Sequence, residues 1–242
     1  MNRIAVVSLD FTNTLARFRH APGGVYAKVA REYGVELAID SVEKSFRTSF
    51  RQLSSDHPNS GRESIGCREF WHRVVSSTLT GAGLDAHPRN EMLRKRISSH
   101  LYEAFATEEN WKVNDNCNSV LEELLASNLK LIVLSNMDER LDSILKALKI
   151  RQYFHIVLSS YDTGFLKPER GIFDCALSKI DDAGTRASAK SIIHVGDDFD
   201  CDYIGAKGAG WNALWLNERE ELRQLPKDHI VRCLSEVPSS IR

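Results

Sequence analysis

The chain has 242 residues, of which 42% are hydrophobic, and its 32 Lys and Arg against 33 Asp and Glu give a net charge of -1. A chain of this length can bury one ample core and carry a smaller second unit beside it. The near-zero charge gives no electrostatic reason to expect nucleic acid or an anionic membrane as a partner, so we expect a small molecule instead.

The cysteines and the first residues narrow the class of protein further. The five Cys residues are odd in number and widely spaced, which indicates neither a disulfide framework nor a zinc site. The apolar run near the N-terminus is far shorter than the ~20 residues of a membrane helix, and it reaches Asp10 too soon for a signal-peptide core. We therefore expect an intracellular, cytoplasmic protein without a membrane partner, and we make no prediction of its oligomeric state.

The first predicted element is a strand, because the run IAVVSL at residues 4–9 is apolar without alternation, as in strands buried on both faces. Roughly a hundred residues of helical character follow it, without a strand-like run. This pattern predicts a helical cap domain inserted after the first strand. Its helical patterns lie at 25–33, 42–50, 69–79 and 90–106, with a polar loop at 54–64.

Strands and helices alternate from about residue 113 onward. Alternation of this kind predicts an α/β fold with a doubly wound, Rossmann-like parallel sheet. We therefore predict a catalytic core at residues 1–15 and 107–242 and the cap at 16–106. The predicted strands are LKLIVLS (129–135), HIVLSS (155–160), SIIHVG (191–196) and a run at 211–216, separated by helical stripes around 120–125, 141–148 and 172–180.

Polar residues stand where the predicted strands end. Asp10 follows the first strand, Ser135 and Asn136 end the second, Lys167 follows the third, and Asp197 follows the fourth. Ligands of open α/β sheets bind outside the carboxyl ends of the strands. A helix cap, a turn or an exposed charge explains each of these residues alone. Four independent coincidences at one edge of the sheet are a poor explanation of all of them together, so we expect a ligand site there.

These residue types fit phosphate chemistry. Carboxylates at one point repel each other unless a cation is present, and Mg²⁺ prefers one or two carboxylates, waters and phosphate oxygens. Asp10 and Asp197 are the natural pair for it. Lys167 would offset the charge of a phosphoryl group, while Ser135 and main-chain N–H groups would hold its oxygens. A carboxylate can also act as a nucleophile and form an acyl phosphate.

Other local motifs do not match. Asp198, Asp200 and Asp202 have the spacing of the first calcium-loop ligands, but Tyr203 stands where that loop needs Gly and Ala209 where it needs Glu. The run GAKGAG at 205–210 does not fit GxGxxG, and no GxxxxGK[ST] occurs. Calcium-loop, dinucleotide-binding and P-loop functions are therefore not supported.

Four segments in order, LDFTNTL, VLSN, LKPERGIF and HVGDDFDCDYIGAKGAG, resemble the four motifs of the haloacid dehalogenase-like hydrolases. The resemblance spans nearly the whole chain, and the helical insert is similar to the family's cap. It implies Asp10 as nucleophile and metal ligand, Ser135 as the phosphate-binding hydroxyl, and Lys167 as the phosphate-binding cation. It also implies Asp197 and Asp202 as metal-site acids, although Asp202 alternatively orients Lys167. Thr14, as the closing Thr of the first motif, and Asn136 complete the expected substrate-binding set.

One residue departs from the family pattern. The phosphatases of the family carry a second Asp two residues after the nucleophile, where it protonates the leaving oxygen and later activates water; here that residue is Thr12. A Thr hydroxyl does not replace this acid near neutral pH, and losing general acid-base help costs typically ~10²- to 10⁴-fold in rate. The main-chain carbonyl of Thr12 is still expected to bind Mg²⁺.

Three hypotheses follow from this departure. The first is a Mg²⁺-dependent phosphatase of a small phosphorylated metabolite, either slow, restricted to leaving groups that need little protonation, or helped by an acid from the cap such as a His. The second is a dehalogenase, whose family members also lack the second Asp; the presence of Asp197, which dehalogenases typically lack, argues against it. The third is a non-catalytic phosphate-binding or interaction protein on the same scaffold.

Overall fold

The computed structural model describes residues 3–87 and 90–241. The chain divides into two compact units, which we call the sheet unit (Met1–Arg17 with Val113–Arg242) and the helical unit (Phe18–Lys112). The sequence predicts the division after residues 15 and 106, whereas the units divide after residues 17 and 112. The contacts of Trp111 explain why it belongs to the helical unit. Its ring centroid lies 4.3 Å from that of Phe18, and the Trp111 Nε1 donates to the Phe105 carbonyl.

Strands form two sheets. In chain order the strands of the described residues are β1 (Val6–Leu9), β2 (Ala16–Phe18), β3 (Trp111–Val113), β4 (Lys130–Ser135), β5 (Ile156–Ser159), β6 (Ile192–Gly196), β7 (Asn212–Leu216) and β8 (Ile230–Val231). Six of them lie in the order β5-β4-β1-β6-β7-β8, and all the neighbouring pairs are parallel, while β2 and β3 pair separately.

Both units contain longer helices. In chain order they are α1 (Pro22–Glu32), α2 (Ile39–Asp56), α3 (Cys67–Gly81), α4 (Glu91–Ala104), α5 (Cys117–Ala126), α6 (Leu141–Ala147) and α7 (Arg170–Asp182). Short helical segments lie at Pro58–Gly61, Ser160–Thr163, Gly205–Gly208 and Val237–Ser240. Within the described ranges, no helix combines the length and the apolar character that a membrane crossing requires.

The sheet unit has the predicted doubly wound α/β architecture. Every residue of β1 and β6 is buried, which explains why these strands read as unbroken apolar runs. The chain moves from β1 through β4 to β5, and then returns to β6 on the other side of β1. Since crossovers between parallel strands are right-handed, this reversal puts the connecting segments on opposite faces of the sheet. Ligands bind at such a reversal point, which here lies beside β1.

The helical unit has its own apolar core. Residues spaced three or four apart on its helices form one buried cluster, including Val25, Val29, Val75, Leu79 and Leu101. The predicted loop at 54–64 is partly wrong, because α2 continues to Asp56. The polar residues that suggested a loop extend the exposed face of this amphipathic helix until Pro58 begins the next segment.

Candidate active site

The predicted site residues meet at the carboxyl edge of the central strands. Leu9 of β1 pairs with Val133 of β4 and with Val195 of β6. The parallel register therefore brings the residues that follow these positions to one edge of the sheet. Asp10 directly follows β1, Ser135 is the last residue of β4, and Asp197 directly follows β6. The three residues therefore lie at the reversal point of the topology.

Lys167 lies at the centre of the cluster. Its Nζ donates to Asp10 Oδ1 at 2.7 Å, to Asp202 Oδ1 at 2.5 Å and to the carbonyl oxygen of Leu134 at 2.9 Å. The side chain is only 1% exposed. All three ammonium hydrogens therefore have an acceptor, which is what a buried ammonium requires.

Burial and charge pairing set the ionisation of these groups. Burial opposes the charge of Lys167, yet Asp10 and Asp202 raise the pKa of its ammonium above the usual range. Burial also opposes the charge of Asp202, yet Lys167 and the hydrogen bond from His194 hold the pKa of this carboxyl well below its usual range. Burial raises the pKa of Asp10, and Lys167 offsets only part of that increase. Lys167 and Asp202 therefore form a firmly charged pair.

His194 is a site residue that sequence analysis did not identify. It is completely buried in β6, where its Nε2 lies 3.1 Å from Asp202 Oδ1 and its Nδ1 lies 2.8 Å from Ser8 Oγ. Burial lowers the pKa of His194, and a neutral ring that donates at Nε2 accepts the Ser8 hydroxyl at Nδ1. A buried His inside an apolar strand was the signal, but its partners are visible only in three dimensions.

Asp202 is held from several sides. Its Oδ1 binds Lys167 and His194, and its Oδ2 accepts the main-chain N–H of Asp198 at 2.9 Å. The carboxylate lies against Gly196, where an added Cβ would collide with it. These contacts favour the alternative that Asp202 orients Lys167. The neighbouring Asp198 caps the following wide helical turn, accepting N–H bonds from Asp200 and Cys201.

Asp197 lies on the other side of Asp10 and is fixed by different contacts. The Asn13 Nδ2 donates to Asp197 Oδ2 at 3.1 Å, and the Trp215 Nε1 donates to the Asp197 carbonyl at 2.9 Å. Asn13 has a φ of 59°, a left-handed conformation that Asn tolerates better than most residues. Burial and the nearby charge of Asp10 raise the pKa of Asp197 to about 7. No motif in the sequence predicts this role for Asn13.

The three carboxylates fit a hard divalent cation. Asp10, Asp197 and Asp202 each offer one oxygen, and these oxygens lie within 4.8 Å of one another. Oxygen-only donors are the preference of Mg²⁺. The raised pKa of Asp197 indicates that the single ammonium of Lys167 does not neutralise this cluster. Asp10 and Asp197 are the better placed ligands, since Asp202 is already engaged with Lys167 and His194.

Ser135 ends β4, and Asn136 follows it on the same edge. Burial is the main effect on the pKa of Asp10, and the neighbouring Ser135 side chain lowers that pKa through hydrogen bonding, so Ser135 lies near the reacting carboxylate. The exposed Asn136 uses both ends of its amide on the main chain of Lys167: Nδ2 donates to the carbonyl oxygen at 2.9 Å, and Oδ1 accepts the N–H at 2.7 Å. Asn136 thus positions Lys167, while its contact with substrate stays a prediction.

Thr12 and Thr14 are placed differently from each other. The half-buried Thr12 directs its hydroxyl at the sulfur of Met137, 3.7 Å away. Thr14 is fully buried, and its hydroxyl has no hydrogen-bond partner within the described residues. The side chain of Asn114 donates to the carbonyl oxygens of Asn13 and Thr14 and so fixes this turn. Metal binding by Thr12 and substrate binding by Thr14 stay predictions.

The chain is similar to known proteins over almost its whole length. A family model described as haloacid dehalogenase-like hydrolase matches residues 4–210. Haloacid dehalogenase-like hydrolase domain-containing protein 3 of Danio rerio is 31% identical over 237 residues, covering 96% of this chain and 94% of that protein. The protein of the same name from Homo sapiens is 32% identical over 241 residues, covering 96% of this chain and 92% of its own.

Solved structures share the fold at lower identity. The putative HAD-hydrolase YfnB from Bacillus subtilis, described as bound to magnesium, has a TM-score of 0.71 at 18% identity and covers 99% of both chains. A 2-haloacid dehalogenase from Pseudomonas syringae pv. Tomato has a TM-score of 0.67 at 23% identity and covers 98% of both chains. An HAD phosphatase from Thermococcus onnurineus has a TM-score of 0.67 at 19% identity, covering 98% of this chain and 97% of its own.

Proposed function

Since the chain belongs to the haloacid dehalogenase-like hydrolases, we propose that it is a Mg²⁺-dependent phosphatase of a small phosphorylated metabolite. One observation carries the proposal: Asp10 lies 2.7 Å from the buried ammonium of Lys167 and within 4.8 Å of the carboxylate of Asp197. A nucleophilic carboxylate, a fixed cation and a second acid are the parts that phosphoryl transfer needs.

Asp10 acts as the nucleophile in this mechanism. One of its oxygens forms a bond to phosphorus while the bond from phosphorus to the leaving oxygen breaks, which gives an acyl phosphate on Asp10. Water then attacks that phosphorus, releasing inorganic phosphate and restoring the carboxylate. Lys167 and the Ser135 hydroxyl stabilise the charge on the phosphoryl oxygens. Bound Mg²⁺, held by Asp10, Asp197 and the Thr12 carbonyl, would supply further charge neutralisation there.

Thr12 limits which substrates react well. Its hydroxyl faces the Met137 sulfur and supplies no proton to a leaving oxygen near neutral pH. Leaving groups that are stable as anions, such as aryl oxides, need no such proton, whereas alkyl oxides do. We therefore expect slow turnover of alkyl phosphates and faster turnover of aryl phosphates. The alternative that a His supplies this proton stays a prediction.

Two other functions remain as alternatives. A non-catalytic phosphate-binding protein is favoured by Thr12, because the missing acid lowers turnover more than it lowers binding. Dehalogenation is disfavoured by Asp197, which Asn13 holds beside Asp10, since displacement of halide needs no metal-binding acid. Likeness to a dehalogenase structure at 23% identity concerns the fold.

The proposal is tested by measuring phosphate release from p-nitrophenyl phosphate with and without Mg²⁺. We expect release that needs Mg²⁺, that is lost in Asp10→Asn, and that is kept in Asp182→Asn, a matched change at an exposed residue of α7. Metal-independent chloride release from 2-chloropropionate would establish the dehalogenase instead. Binding of inorganic phosphate without any turnover would establish the non-catalytic protein.

A further inference from the structure

The sheet unit contains a cavity of about 240 Å³ beside Asp197. It extends from the reaction centre toward the loop that follows β7. Asn13, which donates to Asp197, belongs to its wall. The remaining lining residues are Arg17, Trp215, Leu216, Asn217, Glu218, Arg219 and Glu221. Apart from Trp215, which donates to the Asp197 carbonyl, none of these remaining residues has a part in the mechanism described above.

The inner wall and the rim of this cavity differ in charge. Glu218, Arg219 and Glu221 are exposed and lie at the rim, whereas Arg17 is half-buried and is the inner cation. Asn217 is buried, and its amide closes the rim loop through hydrogen bonds to the main chain of Glu221. Among the buried and half-buried lining residues, Arg17 is therefore the one cation and Asp197 the one acid.

The guanidinium of Arg17 makes no hydrogen bond or ion pair with any residue of the described ranges. Partly buried Arg side chains are usually paired, because withdrawing their charge from water is costly. The planar fork of a guanidinium matches the two oxygens of a carboxylate or a phosphate. Arg17 thus has its donors available in the wall of the cavity that Asp197 also lines.

We infer that this cavity binds a second anionic group of the substrate, a carboxylate or a phosphate, with Arg17 as the residue that recognises it. The inference rests on the proposed function, which places the transferred phosphoryl group at Asp10 and Lys167. Asp197 both neighbours Asp10 and lines the cavity, so the cavity lies next to the place of the transferred group. The substrate class is accordingly a phosphate ester that carries another anion on the part that remains after transfer.

Two matched pairs of ligands test this inference: 3-phosphoglycerate against glycerol 3-phosphate, and fructose 1,6-bisphosphate against fructose 6-phosphate. The first pair adds a carboxylate and the second adds a phosphate. Dissociation constants are measured calorimetrically with Mg²⁺ in the Asp10→Asn chain, which cannot form the acyl phosphate. We expect the doubly anionic member of at least one pair to bind about tenfold more tightly.

The preference should depend on Arg17. Arg17→Gln in the same background should bring the ratio of dissociation constants close to one. Arg17→Lys should keep part of the preference for the doubly anionic ligand. Arg186→Gln, at an exposed residue outside the cavity, should leave this preference unchanged. Equal binding within both pairs, or a preference that survives Arg17→Gln, would overturn the inference and leave the phosphatase proposal standing. Absence of binding by all four ligands would also overturn the inference, while the phosphatase proposal would still be decided by the assay with p-nitrophenyl phosphate. A preference without phosphatase activity of the wild type would refute only the phosphatase.

Discussion

Asp197 combines two properties that oppose each other. Its pKa is raised to about 7 by burial and by the nearby charge of Asp10, so an ionised Asp197 destabilises the metal-free fold. The same ionised carboxylate is the form that binds a cation. Stability and metal binding therefore place contrary demands on this residue.

We expect Asp197→Asn to stabilise the metal-free protein and to remove Mg²⁺ binding. Between pH 4 and 7 the folded wild type binds more protons than the unfolded chain, so its stability falls as pH rises through this range and levels off above it. The advantage of Asp197→Asn should grow with pH to about 1–3 kcal/mol above pH 7. Urea denaturation in EDTA at several pH values measures it. A variant that is less stable than the wild type at pH 8 would contradict this explanation.

Lys167 is expected to matter for stability as well as for chemistry. Lys167→Met would leave two buried carboxylates without their cation, and removing one partner of a buried charge pair costs about 3–5 kcal/mol. The loss should be smaller in acid, because protonation of Asp10 or Asp202 relieves it. Denaturant unfolding measures the change. The control is Lys146→Met, because the exposed ion pair of Lys146 with Asp142 should contribute at most about 1 kcal/mol to the free energy of unfolding. Equal losses of stability in the two variants would contradict a stabilising role of the buried cluster.

The residues that sequence analysis identified differ from those it missed in one physical respect. Asp10, Ser135, Lys167 and Asp197 follow strands, and the parallel sheet alone predicts that they share an edge. His194 and Asn13 act through contacts with residues distant in sequence, Ser8 at 186 positions and Asp197 at 184 positions respectively. No local pattern encodes such partners.

At the scale of elements, the turn after β6 depends on a residue without a side chain. Gly196 ends β6, and the Asp202 carboxylate occupies the space where a Cβ would stand. A small residue at this position lets the wide helical turn at Phe199–Ile204 fold back and present Asp202 to Lys167.

We expect Gly196→Ala to displace Asp202 and thereby to lower phosphate-ester turnover at least tenfold, with a loss of thermal stability. Gly208→Ala is a matched control, since an added Cβ there meets no atom within 4 Å. In that short helical segment Ala is expected to be neutral or slightly stabilising. Thermal unfolding and initial rates of both variants decide the matter, and unchanged activity of Gly196→Ala would show that Asp202 need not occupy this position.

Element bounds could be predicted to different degrees. The five apolar runs correspond to β1, β4, β5, β6 and β7, because buried parallel strands carry a strong local signal. The strands β2, β3 and β8 have only two or three residues, too few for any periodicity to show. The end of α2 was misjudged because a polar helix face and a polar loop have the same composition.

At the scale of the whole molecule, the fold was predictable and the reaction is not. Alternating strands and helices specify a doubly wound sheet, and the edge residues specify where its ligand binds. Thr12 stands where the phosphatases of the family carry the Asp that protonates the leaving oxygen, so this one residue affects turnover and not the fold. Family membership is therefore compatible with both a slow phosphatase and a protein that binds phosphate without turning it over.

The most direct test of the central claim is the rate of phosphate release from an alkyl phosphate by Thr12→Asp relative to the wild type, in Mg²⁺. A site that is complete except for its general acid should gain about 10²- to 10⁴-fold, while the rate on an aryl phosphate should change much less, and Asp10→Asn should abolish both. No gain in a correctly folded Thr12→Asp would contradict the claim that Asp10, Lys167 and Asp197 form a phosphatase site lacking only its acid.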